Sequence, residues 1–234
     1  MTRVRSALDA ALRRAGLEAG VPEPGDPGLV PSPEGPGWRS PAPARWAGAA
    51  GLPVERLAGL LAAALGRDPD VASVAVLGDR VVDVVPVAPL AWTVVAQVLG
   101  DPSYGGSRVP PGQVPLSLVR RPEEPVFLAA WARSRALRVA DTAAAVSNPG
   151  TPAELDDVRL ALLARLADHP DAVRRVPDAP ALLRRVADLA AAARTWLDGL
   201  GADPAPTDAA LARATAQVLE DGLSRLGVAA PVRL

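Results

Sequence analysis

The chain has 234 residues, enough for one large domain or two small ones with ample material for a core. Its 25 basic residues, all of them arginine, stand against 26 acids for a formal charge of −1, and there is no cysteine. That excludes a disulfide framework, a thiol nucleophile and a cysteine metal site. It also argues against tight non-specific nucleic-acid binding, which draws on a basic excess and counterion release.

Nearly half the residues are apolar, mostly Ala, Leu and Val, and only seven are aromatic. Ala-rich segments broken by Pro and Gly favour short packed helices over a large sheet. Charge is spread evenly: 10 Arg against 11 acids before Arg120, and 15 against 15 from there on. The longest apolar run, residues 57–65, is too short to span a bilayer. Arg3, Arg5, Arg13 and Arg14 lie along a helical pattern without an uninterrupted apolar core, so the N-terminus does not read as a secretory signal. A cytoplasmic protein with no membrane partner is the expectation.

Residues 2–15 read as an amphipathic helix, with Val4, Leu8, Leu12 and Ala15 on one stripe and Gly16 near the end. Residues 20–43 are dense in Pro and Gly, with short strands expected near Leu29-Val30 and Trp38-Arg39. A second helix over 53–65 opens at Pro53 and stops at Gly66. The β-branched runs 71–77 and 81–85, joined by Gly78-Asp79-Arg80, read as a hairpin, and 90–99 closes this half as a helix. Residues 100–115 have linker composition, which sets a domain of 1–100, a linker of 101–117 and a second domain of 118–234.

The second half reads as helical. Pro125 opens a helix to about Val146. Thr151-Pro152-Ala153-Glu154 is a capping box ahead of a stripe of Leu155, Val158, Leu162 and Leu166. A turn over 170–177 leads to Asp178 as an N-cap, then to a stripe of Leu182, Val186, Leu189, Ala193 and Trp196. The last helix starts at Thr207 with Leu211, Thr215, Val218, Gly222 and Leu226 inward. Four such helices suit an antiparallel bundle. The fold expected is an α+β N-terminal domain, with a small antiparallel sheet, followed by an all-α bundle.

Little here carries catalytic chemistry. The single histidine, His169, reads as a helix C-terminal residue before Pro170, favoured by the dipole. No metal-ligand spacing, P-loop or Ser/His/Asp constellation is present, so neither metal nor cofactor is expected. Trp131, Arg135 and Arg138, at i, i+4 and i+7, share one helix face that can stack on an unpaired base and neutralise phosphate. The structural alternative is a Trp at a helix–helix seam, with its arginines paired to Glu123, Glu124 or Asp141. Arg174-Arg175 and Arg184-Arg185 are either a basic groove or solvated helix faces, and Trp196 reads as core.

Several ordered segments resemble arginyl-tRNA synthetases. Pro125-Val126-Phe127-Leu128-Ala129-Ala130-Trp131-Ala132-Arg133-Ser134-Arg135 is similar to Asn-Pro-Val-Tyr-Tyr-Val-Gln-Tyr-Ala-His-Ala-Arg, which opens the family's anticodon-binding DALR bundle. Glu154-Leu155, Leu162-Leu163, Leu189-Ala190, Trp196, Val218-Leu219, Gly222-Leu223 and the closing Leu226-Gly227-Val228 and Pro231 follow in the family's order. Gly37-Trp38-Arg39-Ser40 and residues 75–84 more faintly resemble the family's N-terminal domain, without its hairpin aromatic and Asn.

The family departures lie at polar positions: Ala209 for Arg, Arg194 for His, Leu197 for Tyr, Arg133 for His and Leu234 for Met. One His and no Lys leave no room for the class I catalytic signatures, so the resemblance implies a non-catalytic protein with the aminoacylation domain replaced by the linker. It implies binding to the anticodon arm of a tRNA, with tRNA(Arg) as the first candidate, through Trp131, Arg133, Arg135, Arg138 and Arg233. The alternative expectation is a synthetase-derived protein–protein interaction module without tRNA binding, with a synthetase or an amino-acid-pathway enzyme as its partner.

Overall fold

The structure is a computed structural model and describes residues 1–105, 124–142, 152, 155–176 and 178–228. It is mixed α+β, and the chain divides into two compact units: Met1–Thr93 with Ala153–Ala167, and Val94–Pro152 with Asp168–Leu234. Most of the expected linker, together with Thr151, Ala153 and Glu154 of the capping box and the C-terminal tail with Arg233, lies outside the described residues. Among the described residues no single helix is long and apolar enough to cross a membrane.

In the first unit, helix α1 (Arg3–Glu18) buries the expected stripe of Val4, Leu8, Leu12 and Ala15, with Ala11 beside it. Arg5 on that buried side donates from Nη2 to the Leu29 carbonyl at 2.7 Å, tying the helix to the start of strand β1 (Val30–Pro31). Strand β2 (Trp38–Ser40) pairs antiparallel with β1, and the turn between them needs Gly37. That residue sits at φ +91°, and a Cβ there would lie 2.5 Å from the Val84 carbonyl oxygen.

Helix α2 (Ala42–Ala50) is the element that the Pro/Gly-rich composition hid. Its signals were a proline in the first turn, the i, i+4 pairs Ala42/Trp46 and Pro43/Ala47, all buried, and Gly51 in the left-handed conformation that closes it. Ser40 steadies its start, accepting from the Ala42 amide at 3.1 Å and donating to the Pro27 carbonyl at 2.6 Å. Helix α3 (Val54–Leu65) follows and buries Leu57, Ala58, Leu61 and Leu65.

The hairpin forms as expected, from β3 (Val71–Leu77) and β4 (Val81–Pro86). The four strands lie in the order β1-β2-β4-β3, all antiparallel, so β3 is an edge. Alternate residues of β4, Val82 and Val84, are fully buried beside Trp38, while Asp83 faces the other way. Opposite Asp83 stands Arg39, which grips it with Nε–Oδ1 at 2.8 Å and Nη2–Oδ2 at 2.9 Å, and Ser32 Oγ donates at 2.9 Å. This bidentate cross-strand pair fixes the register of the sheet centre.

Helix α4 (Ala88–Gly100) runs across the division between the units, which falls inside it, after Thr93. Its last turn and the residues just after it are fastened: Gln217 Nε2 donates to the carbonyls of Val98 at 2.9 Å and Asp101 at 2.8 Å, and Tyr104 is buried.

The second unit rests on helices α5 (Pro125–Thr142), α7 (Ala179–Asp198) and α8 (Pro206–Arg225), which pack on one another. The expected α7 stripe of Leu182, Val186, Leu189, Ala193 and Trp196 is buried throughout, and Asp178 accepts from the Ala181 amide at 2.8 Å as its N-cap. Leu211, Thr215, Val218, Gly222 and Leu226 also point inward. Gly222 is where α8 meets α7: a Cβ there would lie 2.6 Å from Val186 Cγ2.

Helix α6 (Asp157–Arg175) corrects two expectations. Its stripe begins later than read, since Leu162 and Leu166 are buried but Val158 is 37% exposed. It also runs straight through Pro170 to Arg175, where a turn was expected. A proline inside a helix costs about 3 kcal/mol. Contacts on both sides of it hold the helix: Ala172 and Val173 are buried, Asp168 pairs with Arg175 at 2.9 Å, and His169 docks on α8.

Candidate nucleic-acid interface

Trp131 lies half-buried on α5, and two guanidinium groups crowd its ring: Arg135 at 5.3 Å and Arg194 of α7 at 5.9 Å from the centroid. Arg135 also donates to Asp198 Oδ1 at 2.6 Å and to the Leu197 carbonyl at 3.1 Å, and Arg194 reaches the same Asp198 at 3.5 Å. The cluster is therefore one indole, two cations and one carboxylate across the α5–α7 seam. Its acidic member is Asp198, reached by an i, i+4 step from Arg194 that the sequence displays.

The other expected contact residues separate. Arg138 is exposed on α5, two turns beyond Trp131. Arg133, two residues from Trp131, falls on a different side of the helix; it is 5% exposed and pairs with Glu220 of α8 at 3.1 Å. It is a packing residue of the α5–α8 contact. Trp196 is core, 3% exposed, and among the described residues its indole N–H meets no acceptor.

Of the arginine pairs on α6 and α7, Arg175, Arg184 and Arg185 line a groove of about 660 Å³ together with Asp168, Asp188 and Ala172, while Arg174 does not reach it. Arg175 is held by the buried Asp168. Arg184 and Arg185 are exposed and make no ion pair or hydrogen bond among the described residues. Arg184, Ala187, Ala191, Arg194 and Asp198 recur at spacings of three and four, so the groove and the Trp131 cluster share one face of α7. Ten residues separate Arg184 from Arg194, about 15 Å along the axis.

Beneath this lies a polar cluster the sequence reading missed. His169 is not at a helix end; its ring is 4% exposed, and Nε2 sits 2.8 Å from Asp221 Oδ2. Arg225 Nε donates to the same oxygen at 2.7 Å. Burial pushes the Asp221 carboxyl up, but the hydrogen bonds from His169 and Arg225 outweigh it and hold the group below the usual carboxylate range. Gly105 packs on this carboxylate so closely that a Cβ would lie 2.5 Å from Oδ2. Neighbouring Tyr104 has its phenol pushed well above the ordinary value by burial, reinforced by Asp171, Asp168 and Asp101, so it stays protonated. The legible signal was the i, i+4 pair Asp221/Arg225.

The cluster fastens α6 to α8 through His169, Asp221 and Arg225. Among the described residues no group of three or more His, Cys, Asp or Glu is placed to hold a metal ion. No protein-family model, curated protein or solved structure matches the chain.

Proposed function

We propose that the helical unit is a non-catalytic RNA-binding module that takes a single-stranded segment, in first place the anticodon arm of a tRNA, along the face shared by α5 and α7. The observation that carries this reading is the half-buried Trp131 beside the guanidinium groups of Arg135 and Arg194, the latter on the same α7 face as Arg184, which has no ion pair or hydrogen bond among the described residues. A base stacks on an indole or on a guanidinium plane, and phosphates seek cations with no acidic partner. The ordered resemblance of residues 120–234 to the DALR bundle of arginyl-tRNA synthetases supports the choice of tRNA, and the lack of Lys supports a protein without the aminoacylation step.

A protein-interaction module without RNA is the second reading. It is favoured by Asp198, which neutralises part of the cationic cluster, and by the burial of Arg133.

Fluorescence anisotropy with total and tRNA(Arg)-enriched tRNA at two salt concentrations decides between them. Trp131→Ala is expected to weaken binding by about 5- to 150-fold, the equivalent of ~1–3 kcal/mol for one stacked base. Arg184→Glu is expected to weaken it at low salt more than at high salt. No binding by the parent at low salt, or binding indifferent to both substitutions, removes the RNA reading.

A further inference from the structure

Among the described residues strand β3 is an open edge of the sheet, and nothing in its sequence guards it. Residues 71–77 read Val-Ala-Ser-Val-Ala-Val-Leu, with no charge and no proline. Five of the seven are exposed, among them Val76 at 37% and Leu77 at 38%. Helix α3, which packs on this strand, adds Leu60 at 41% exposure. Outside the sheet, the described backbone bonds at this strand are only Val71 N–H to the Asp68 carbonyl and the turn bond from Arg80 N–H to the Leu77 carbonyl. A row of outward N–H and C=O groups on an apolar strand is a template for another strand.

We propose that this edge pairs antiparallel with β3 of a second copy, joining two four-stranded sheets into one of eight strands about a two-fold axis at Ala75. Two independent features select that centre. The irregularity in β3–β4 pairing lies between Val71 and Ser73, so the regular stretch is 73–77, whose midpoint is Ala75. Pairing there sets Ser73 against Leu77, Val74 against Val76 and Ala75 against its mate, each on a matching face.

The second feature is charge. The same register brings the Gly78-Asp79-Arg80 turn of each copy beside Asp70 of the other. Within one chain, neither Arg80 nor Asp70 has an ion pair among the described residues. Two apolar strands with complementary unpaired charges at opposite ends form a self-complementary, isologous interface.

The test is sedimentation equilibrium of the full chain across a wide micromolar range. The parent is expected to dimerise reversibly, and Val76→Lys and Arg80→Asp are each expected to weaken the dimer at least about tenfold. The exchange Arg80→Asp with Asp70→Arg is expected to recover most of the affinity. Ala75→Cys provides a readout insensitive to folding defects, because the chain has no cysteine of its own. Opposed Cα atoms in such a pair stand about 4.5–5.5 Å apart, within disulfide range. Mild oxidation is expected to yield a covalent dimer from Ala75→Cys and none from Leu17→Cys. A parent that stays monomeric throughout overturns the proposal, as does a dimer that withstands both Val76→Lys and Arg80→Asp or that Ala75→Cys fails to trap.

Discussion

Asp221 joins His169 of α6 to Arg225 of α8, and Asp221→Asn tests how far the helical unit depends on that link. The substitution keeps the shape but removes the charge that balances Arg225, whose side chain is 5% exposed, while His169 beside it is 4% exposed. Breaking a buried charge pair on one side costs about 3–5 kcal/mol. Asp221 itself is 25% exposed, so water relieves part of that, and the lower end, about 3 kcal/mol, is the expected loss. Against a total stability of roughly 5–15 kcal/mol, this is a large fraction.

The assay is urea unfolding followed by tryptophan fluorescence, with Trp131 and Trp196 reporting on this unit. The pH dependence gives a second readout. The folded-state value of Asp221 is depressed, so its contribution is present above the ordinary carboxylate value and is lost as pH falls through the folded value. The parent is therefore expected to lose stability below about pH 4, and the Asn variant to show a shallower loss. A loss under about 1 kcal/mol at neutral pH, or identical acid slopes, refutes the view that this carboxylate holds α6 on α8.

Gly222→Ala sets a helix-propensity gain of about 1 kcal/mol against overpacking of about 1–3 kcal/mol where its Cβ meets Val186. A net destabilisation of up to about 2 kcal/mol is expected in urea melts, and relief of it when Val186→Ala is added, as a double-mutant cycle would report. Asp198→Asn frees Arg135 and Arg194 from a carboxylate that is 48% exposed, so stability is expected to change by less than about 1 kcal/mol. The same variant is expected to tighten RNA binding several-fold in the anisotropy assay; weaker binding with an intact fold counts against the α5–α7 face as the RNA site.

The elements legible in the sequence were those whose own periodicity suffices. The α1, α7 and α8 stripes, the β3–β4 hairpin and the Asp178 cap each follow from spacings within one segment. What escaped was decided between segments. Helix α2 owes its place to burial of Trp46 and Ala47 and to the Ser40 contacts, which override a run that reads locally as loop. Pro170 marks a break by every local rule, yet His169 and Asp168 are anchored by partners 52 residues ahead and seven residues on. At the candidate site, the shared face of Trp131 and Arg135 was readable from their spacing. Their engagement by Arg194 and Asp198 was not, because it depends on how α7 lies beside α5.

The distribution of charge bears on how such a surface can work. Along the exposed part of α7, Arg184, Arg185 and Arg194 face Asp188 and Asp198, three cations against two anions, a local excess of one. Even with Arg135 added, this is far from the cationic stripe that drives non-specific binding through counterion release. Any affinity for RNA must then come mainly from stacking on Trp131 and its guanidinium neighbours, a short-range interaction that salt screens little. Stacking needs an unpaired base that can be splayed out, which a duplex does not offer and a loop does. The near-neutral charge, a mark against a general nucleic-acid binder, is thus compatible with a reader of single-stranded loops. Selectivity would follow from the pairing of one aromatic platform with Arg184, which has no ion pair or hydrogen bond among the described residues and lies about 15 Å along α7 from Arg194.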